Sequence, residues 1–212
     1  MVGLVAVPNT LNAVYAHLGG ELQYAASRAW LFAGKAAEEV LLIALFFYVL
    51  RVNGERLRDF TRPARGWDVA LTPLVAVLSW LPYAVFMATL LRWSPFGMRV
   101  EPPHNTAAFR SALTAPYFAF VLVNPFCEEL WIRAFLQTRL AQLGWPAPIV
   151  VLTSASAQAA YHIYQGVPYL LGYFLTFGVL ATYYQRTRRL WPIVGVHLIT
   201  DVSAAIVYSS LG

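Results

Sequence analysis

Long apolar runs separated by short polar gaps dominate the chain. The clear runs cover residues 33–52, 69–92, 113–139, 147–164, 167–185 and 190–209. Each is close to the roughly 20 residues that an α-helix needs to cross a bilayer. Residues 1–27 are apolar but are interrupted by Pro8, Asn9, Asn12 and the pair Gly19-Gly20. They form either a short extra span or a helix lying in the interface. The pattern predicts an all-α fold: a polytopic membrane helical bundle of about six transmembrane helices plus this N-terminal apolar segment. No internal repeat or low-complexity stretch divides the chain, so residues 1–212 are read as one integral membrane domain.

Composition strengthens that reading. Of 212 residues, 59% are hydrophobic and only 12% are charged, with a mean hydropathy of +0.57. A soluble domain carries about 25% charged residues. The net charge of +5 does not suggest a nucleic-acid partner, because the basic residues lie in short gaps between apolar runs instead of collecting on one soluble face. A single cysteine, Cys127, excludes an internal disulfide and a zinc-thiolate cluster. The start of the chain lacks a basic region ahead of an apolar core, so no cleaved signal peptide is expected.

The charges also give an orientation. Arg51, Arg56, Arg58, Arg62, Arg65, Arg139, Arg186, Arg188 and Arg189 fall on one side of a six-span arrangement, which the positive-inside rule makes cytoplasmic. Arg28, Lys35, Arg92, Arg99 and Arg110 fall on the other, together with both termini. Trp67, Trp93, Trp145 and Trp191 sit where interfacial aromatic belts form.

Against this apolar background a few polar groups stand out, because an ionised side chain at the bilayer centre costs roughly 2.5–3.5 kcal/mol on insertion scales. Glu128 lies 11 residues before Arg139, about 16 Å from that boundary at the helical rise. On the same measure His162, 14 residues beyond Pro148, lies about 21 Å in, and His197, 8 residues beyond Arg189, about 12 Å in. Three helices therefore bring polar groups to the middle of a core about 30 Å thick. Glu129 and Arg133 are spaced i, i+4 with the acid first, the favourable order for a helical ion pair. Glu128 projects about 100° away from Glu129 and is left free to face something else. Asn124-Pro125, one turn earlier, is expected to kink the helix. His197 and Asp201 share a helical face four residues apart, so the carboxylate can orient the ring. Gln158 lies one turn before His162 on the same face.

A second glutamate pair, Glu38-Glu39, reads differently. It follows Lys35 near a span end, where carboxylates reach water, and is expected to be a solvated helix start. Cys127 points away from Glu128 and lacks the surroundings of a catalytic thiol. HExxH does not occur. His17 and His104 fall in loop or interface positions.

Residues 128–133 read EExxxR, a histidine follows on the next helix, and residues 197–201 read HxxxD. This order resembles the CAAX prenyl endopeptidase and bacteriocin-processing family (CPBP, or Abi), glutamic intramembrane proteases, over about residues 113–205. The resemblance implies a multi-helix membrane fold in a bacterial or archaeal cytoplasmic membrane, with the site open to a water-filled crevice. By position it makes Glu128 the catalytic base, Glu129 with Arg133 its supporting pair, His162 the second-motif histidine, and His197 with Asp201 the third motif. The chain departs from the family where an aromatic usually stands four residues before the second-motif histidine. That position is Gln158 here, with Tyr161 available as an aromatic wall. Asp201 stands where some members have Asn.

The chemistry of these groups gives a mechanism. Glu128, with His162 accepting a second hydrogen bond, orients and deprotonates a water that attacks a peptide carbonyl. His197 donates to the developing oxyanion. The expected partners are the lipid bilayer and a membrane-associated peptide or protein substrate. No cofactor is required, but a metal-dependent version stays open, since Glu128, His162 and His197 also make a three-ligand zinc set. A transporter or proton relay would place acids and histidines at the same depth, and an immunity or scaffold protein is a further, non-catalytic alternative.

Overall fold

The computed structural model describes residues 29–93 and 114–210, with six further residues between 10 and 18. The N-terminal apolar segment falls almost wholly outside the described residues, as do Arg28, Arg99, Arg110, His17 and His104.

Within them every ordered element is helical, as the apolar runs predict. α1 (Ala29–Val52), α2 (Leu57–Phe60) and α3 (Trp67–Trp93) precede the motif-bearing half. α4 (Ala115–Glu128) passes without a break into a π-helix (Glu129–Gln137) and then α5 (Thr138–Gln142). α6 (Ala147–Ala160), a 3₁₀ turn (Ile163–Gln165), α7 (Val167–Thr187) and α8 (Trp191–Ser210) complete the bundle. No strand occurs among the described residues.

Two helices are long and apolar enough to cross a membrane by themselves, Trp67–Arg92 and Val167–Thr187. α1 carries Lys35, Glu38, Glu39 and Arg51, and the α4–π–α5 rod carries Glu128, Glu129, Arg133 and Arg139, so neither reads as a simple apolar span. The bundle buries Glu39, Glu128, Glu129 and Arg133 and leaves Glu38 and Arg51 exposed. Its outer surface is apolar: Val69, Val77, Leu78, Leu81 and Val85 of α3 are all exposed. Exposed apolar side chains on this scale fit a lipid-facing surface.

α1 buries a stripe of Phe32, Ala36, Glu39, Phe46 and Leu50, with Ile43 partly buried between them. That is the alternating three- and four-residue spacing of a core-facing helix. The stripe packs along α4 and the π-helix in parallel register. Phe32 meets Tyr117 edge to face at 5.0 Å. Farther along, the Trp131 indole donates to the Leu42 carbonyl at 3.2 Å, and Phe46 packs on Trp131 at 5.5 Å. α3 closes on α7 and α8, and α6 lies between the π-helix and α7. Two contacts leave no room for a Cβ: Gly172 against the Tyr83 ring and Gly195 against Thr72, both under 3.0 Å from the position such an atom would take.

The arginine-rich segments meet at one end of the bundle. The Arg188 carbonyl accepts from the backbone N–H of Arg62 at 2.8 Å and from Thr61 Oγ1 at 3.0 Å. The Arg188 guanidinium donates to Thr138 at 2.7 Å. Arg139 pairs with Glu55 and lies over the stacked rings of Phe60 and Phe135. Arg189 pairs with Asp68 at 2.5 Å beneath Trp67. These contacts join the 51–68 loop, the end of α5 and the 186–189 turn, as the shared positive side predicts.

Candidate active site

The kink expected at Asn124-Pro125 takes the form of a change of helical register. Pro125 has no N–H to offer the carbonyl four residues back, and four residues beyond it the ladder widens into the π-helix that carries Glu129 and Arg133. Such π-turns concentrate at functional sites. The wider turn splays successive side chains by less than an α-helix does. Glu128 and Glu129 flank the α-to-π junction and converge on shared partners instead of pointing apart.

The hub of that convergence is Gln158 of α6, fully buried. Its amide nitrogen donates to Glu129 Oε1 at 2.9 Å and to Glu128 Oε2 at 3.3 Å. Its carbonyl oxygen accepts from Arg133 Nη2. Arg133 also donates to Ser154 Oγ at 2.7 Å. Its direct contact with Glu129 is an ion pair at 3.5 Å, Nε to Oε2, and neither atom completes a hydrogen bond. The predicted pair is present, and Ser154 and Gln158 hold the guanidinium in place.

Glu128 was expected to lack protein partners, and here the sequence reading needs correcting. It accepts from Asn124 Nδ2 at 3.3 Å, from Gln158, and from the Tyr161 hydroxyl. Tyr161 serves as a hydrogen-bond donor, not only as an aromatic wall.

α8 brings His197 onto the same cluster. Its Nδ1 lies 3.1 Å from Glu129 Oε1. Its Nε2 lies 3.9 Å from Glu128 Oε2 and 3.7 Å from Asp201 Oδ2. The carboxylate that orients the ring is therefore Glu129, with Asp201 on the opposite edge beside Glu128. Thr200, next to Asp201, accepts from the Trp80 indole of α3 at 3.2 Å, which anchors this turn of α8.

His162 does not join the cluster. Its ring sits in an aromatic box, with Tyr173 at 4.8 Å, Tyr161 at 5.0 Å and Phe177 at 5.3 Å between centroids. Both ring nitrogens are buried without a hydrogen-bond partner. The three-ligand set of Glu128, His162 and His197 is not assembled either, and no group of three or more His, Cys, Asp or Glu side chains is arranged to hold a metal among the described residues.

Sequence reasoning also misplaced Glu39. It is buried, not solvated, and its Oε2 has no partner. Lys35 pairs with the half-exposed Glu38 at 2.7 Å. Cys127 is buried and free.

The helical bundle thus buries two glutamates and an arginine in one hydrogen-bonded cluster that His197 joins from α8. Residues 110–203 match the family model described as type II CAAX prenyl endopeptidase Rce1-like, and this segment is similar to that family. The matched segment contains every residue of the cluster. No curated protein and no solved structure matches the chain.

Proposed function

We propose that the protein is a glutamic-type intramembrane endopeptidase in which Glu128 activates the attacking water and His197 stabilises the oxyanion. The observation that carries this reading is the placement of His197 between two carboxylates with unequal contacts. Glu129 holds Nδ1 at 3.1 Å and sets the ring. Nε2 is left 3.9 Å from Glu128 Oε2, too far for a direct hydrogen bond but within reach of one shared water at about 2.8 Å from each.

In this reading Glu128 takes a proton from that water as its oxygen bonds to the scissile carbonyl carbon. The carbonyl oxygen becomes an oxyanion facing His197 Nε2, which donates to it. Collapse of the tetrahedral intermediate breaks the C–N bond, and the proton held by Glu128 passes to the leaving amine. Asn124, Gln158 and Tyr161 fix the Glu128 carboxylate before the reaction, so little reorganisation is needed during it. The two unpartnered nitrogens of His162 are groups that substrate or water would satisfy, which keeps this residue in the site without a bond to Glu128.

The family match supports a peptide substrate at the membrane, and a prenylated CAAX tail is the substrate class to try first. The test is cleavage of a farnesylated CAAX peptide by the protein in liposomes. Glu128→Gln, which keeps the shape and the hydrogen bonds from Gln158 and Tyr161, should lower the rate by about 10²–10⁴-fold while the protein still inserts and purifies. A Glu128→Gln variant that retains more than about a tenth of the wild-type rate would remove Glu128 as the base. Activity lost to chelators and restored by zinc would replace this mechanism with a metal-dependent one.

A further inference from the structure

Glu39 has no part in the mechanism above, yet it occupies a core position at the level of the site. It belongs to the buried stripe of α1, and the parallel register set by Phe32–Tyr117 and Leu42–Trp131 places it beside the turn Asn124–Glu128. Its carboxylate is within electrostatic reach of both Glu128 and His197. Glu39 is 9% exposed and Asn124 7%. On each, one acceptor is buried without a partner: Oε2 of Glu39 and Oδ1 of Asn124. The amino end of the Asn124 amide is engaged with Glu128 Oε1.

We propose that Glu39 and Asn124 form an acceptor pair that binds backbone N–H groups of the peptide being cleaved. Buried acceptors left unmet are costly, and two on adjacent helices at one level imply donors that arrive from outside the protein. A peptide cut inside a bilayer supplies them. It must unwind locally to expose the scissile bond, and each N–H it frees has no water to turn to in the hydrocarbon region. Acceptors beside Glu128 satisfy those groups and hold the extended chain against the attacking water. Asn124 then connects the two functions, with its oxygen toward substrate and its nitrogen on the base. This role for Glu39 rests on the protease reading of the site.

The experiment compares Glu39→Leu, Glu39→Gln and, as a control, Glu38→Gln on the farnesylated CAAX peptide, together with thermal melting of each protein. Glu39→Leu should lose about 2- to 10-fold in kcat/KM, the effect of one hydrogen bond between neutral groups, while melting above wild type because an unpaired buried carboxyl has gone. A purely structural Glu39 would lower the melting temperature, and that result overturns the proposal. Glu39→Gln keeps an acceptor and should lose clearly less than the leucine variant; equal losses would mean that the charge matters and that the site receives a cationic side chain. N-methylation of one backbone nitrogen of the peptide should impair wild type and leave Glu39→Leu unaffected, since the two changes remove the same bond. A wild type that cleaves no peptide fails the protease reading. In that case, binding of the peptide to Glu128→Gln with and without Glu39→Leu decides on Glu39, and equal affinities overturn its role.

Discussion

Glu129 Oε1 stands 3.1 Å from Nδ1 of His197, linking the first π-helical residue to the middle of α8. One carboxylate thus meets Arg133, Gln158 and the histidine proposed to face the oxyanion. Stability and activity share this residue, and substitution can pull them apart.

Arg133→Ala should destabilise the protein by roughly 3–5 kcal/mol, because it leaves Glu129 as a buried charge with its cation gone. Adding Glu129→Gln should restore much of that loss. Activity should not return with it, since the amide gives His197 a neutral partner in place of a carboxylate. Thermal melting and peptide cleavage on the single and double variants check both halves. A double variant no more stable than Arg133→Ala would mean that the 3.5 Å pair contributes nothing.

Gln158 gives a second separation. Its side chain serves Arg133, Glu128 and Glu129 at once, so Gln158→Leu removes three polar contacts without adding a charge. The expected cost is at least about 1.5–3 kcal/mol, the range for one hydrogen bond to a charged group, with cleavage reduced as Glu128 loses a positioning donor. Gln158→Phe restores the aromatic usual in the resembling family and should be no better, because this cluster is built around an amide. Recovery of full activity by phenylalanine would show that the hydrogen bonds are incidental.

These cases show what could be read along the chain and what could not. Glu128, Glu129 and Arg133 were conspicuous because charges are rare in apolar sequence, and their order with His197 and Asp201 carried the family resemblance. Gln158 was less visible because an uncharged amide is a weaker signal in the same surroundings. The π-helix has no signature in residue spacing, so Glu128 and Glu129 were expected to diverge where they converge. His162 was placed by its depth on an unbroken span and by the family resemblance. The helix instead ends at Ala160, and His162 lies in the turn beyond it, where its ring enters the aromatic box. Glu39 was misread from its charged neighbours Lys35 and Glu38, although the spacing Phe32, Ala36, Glu39, Ile43, Phe46 and Leu50 already marked a core-facing stripe.

The aromatic box offers a clean test of His162. Phenylalanine fits among Tyr173, Tyr161 and Phe177 and removes only the two ring nitrogens that no protein group satisfies. His162→Phe should therefore melt at or above the wild-type temperature and lose activity by at least about tenfold, the scale of one hydrogen bond to a reacting group. Unchanged cleavage would make His162 a packing residue.

Asp201 lies across the His197 ring from Glu129, with Oδ2 at 3.7 Å from Nε2. That distance is too long for a hydrogen bond, so Asp201 shares the reaction side of the imidazole with Glu128 without binding it directly. An ionised carboxylate cannot donate to an oxyanion; its contribution is electrostatic and acts through His197, which places it among the positioning residues. Asn has the same shape, gives up the charge and adds an N–H that can itself face the oxyanion. Asp201→Asn should accordingly retain measurable cleavage, within about tenfold of wild type, whereas Asp201→Leu, with neither charge nor donor, should fall by about 10²-fold or more, the scale of a lost oxyanion-hole donor. Both proteins should insert normally, because Asp201 completes no buried hydrogen bond and the anchor of this turn is the Trp80–Thr200 contact. The kcat and KM of the three proteins on one peptide decide the matter. A loss confined to KM, or equal losses in Asn and Leu, would show that Asp201 does not act on the oxyanion side of His197.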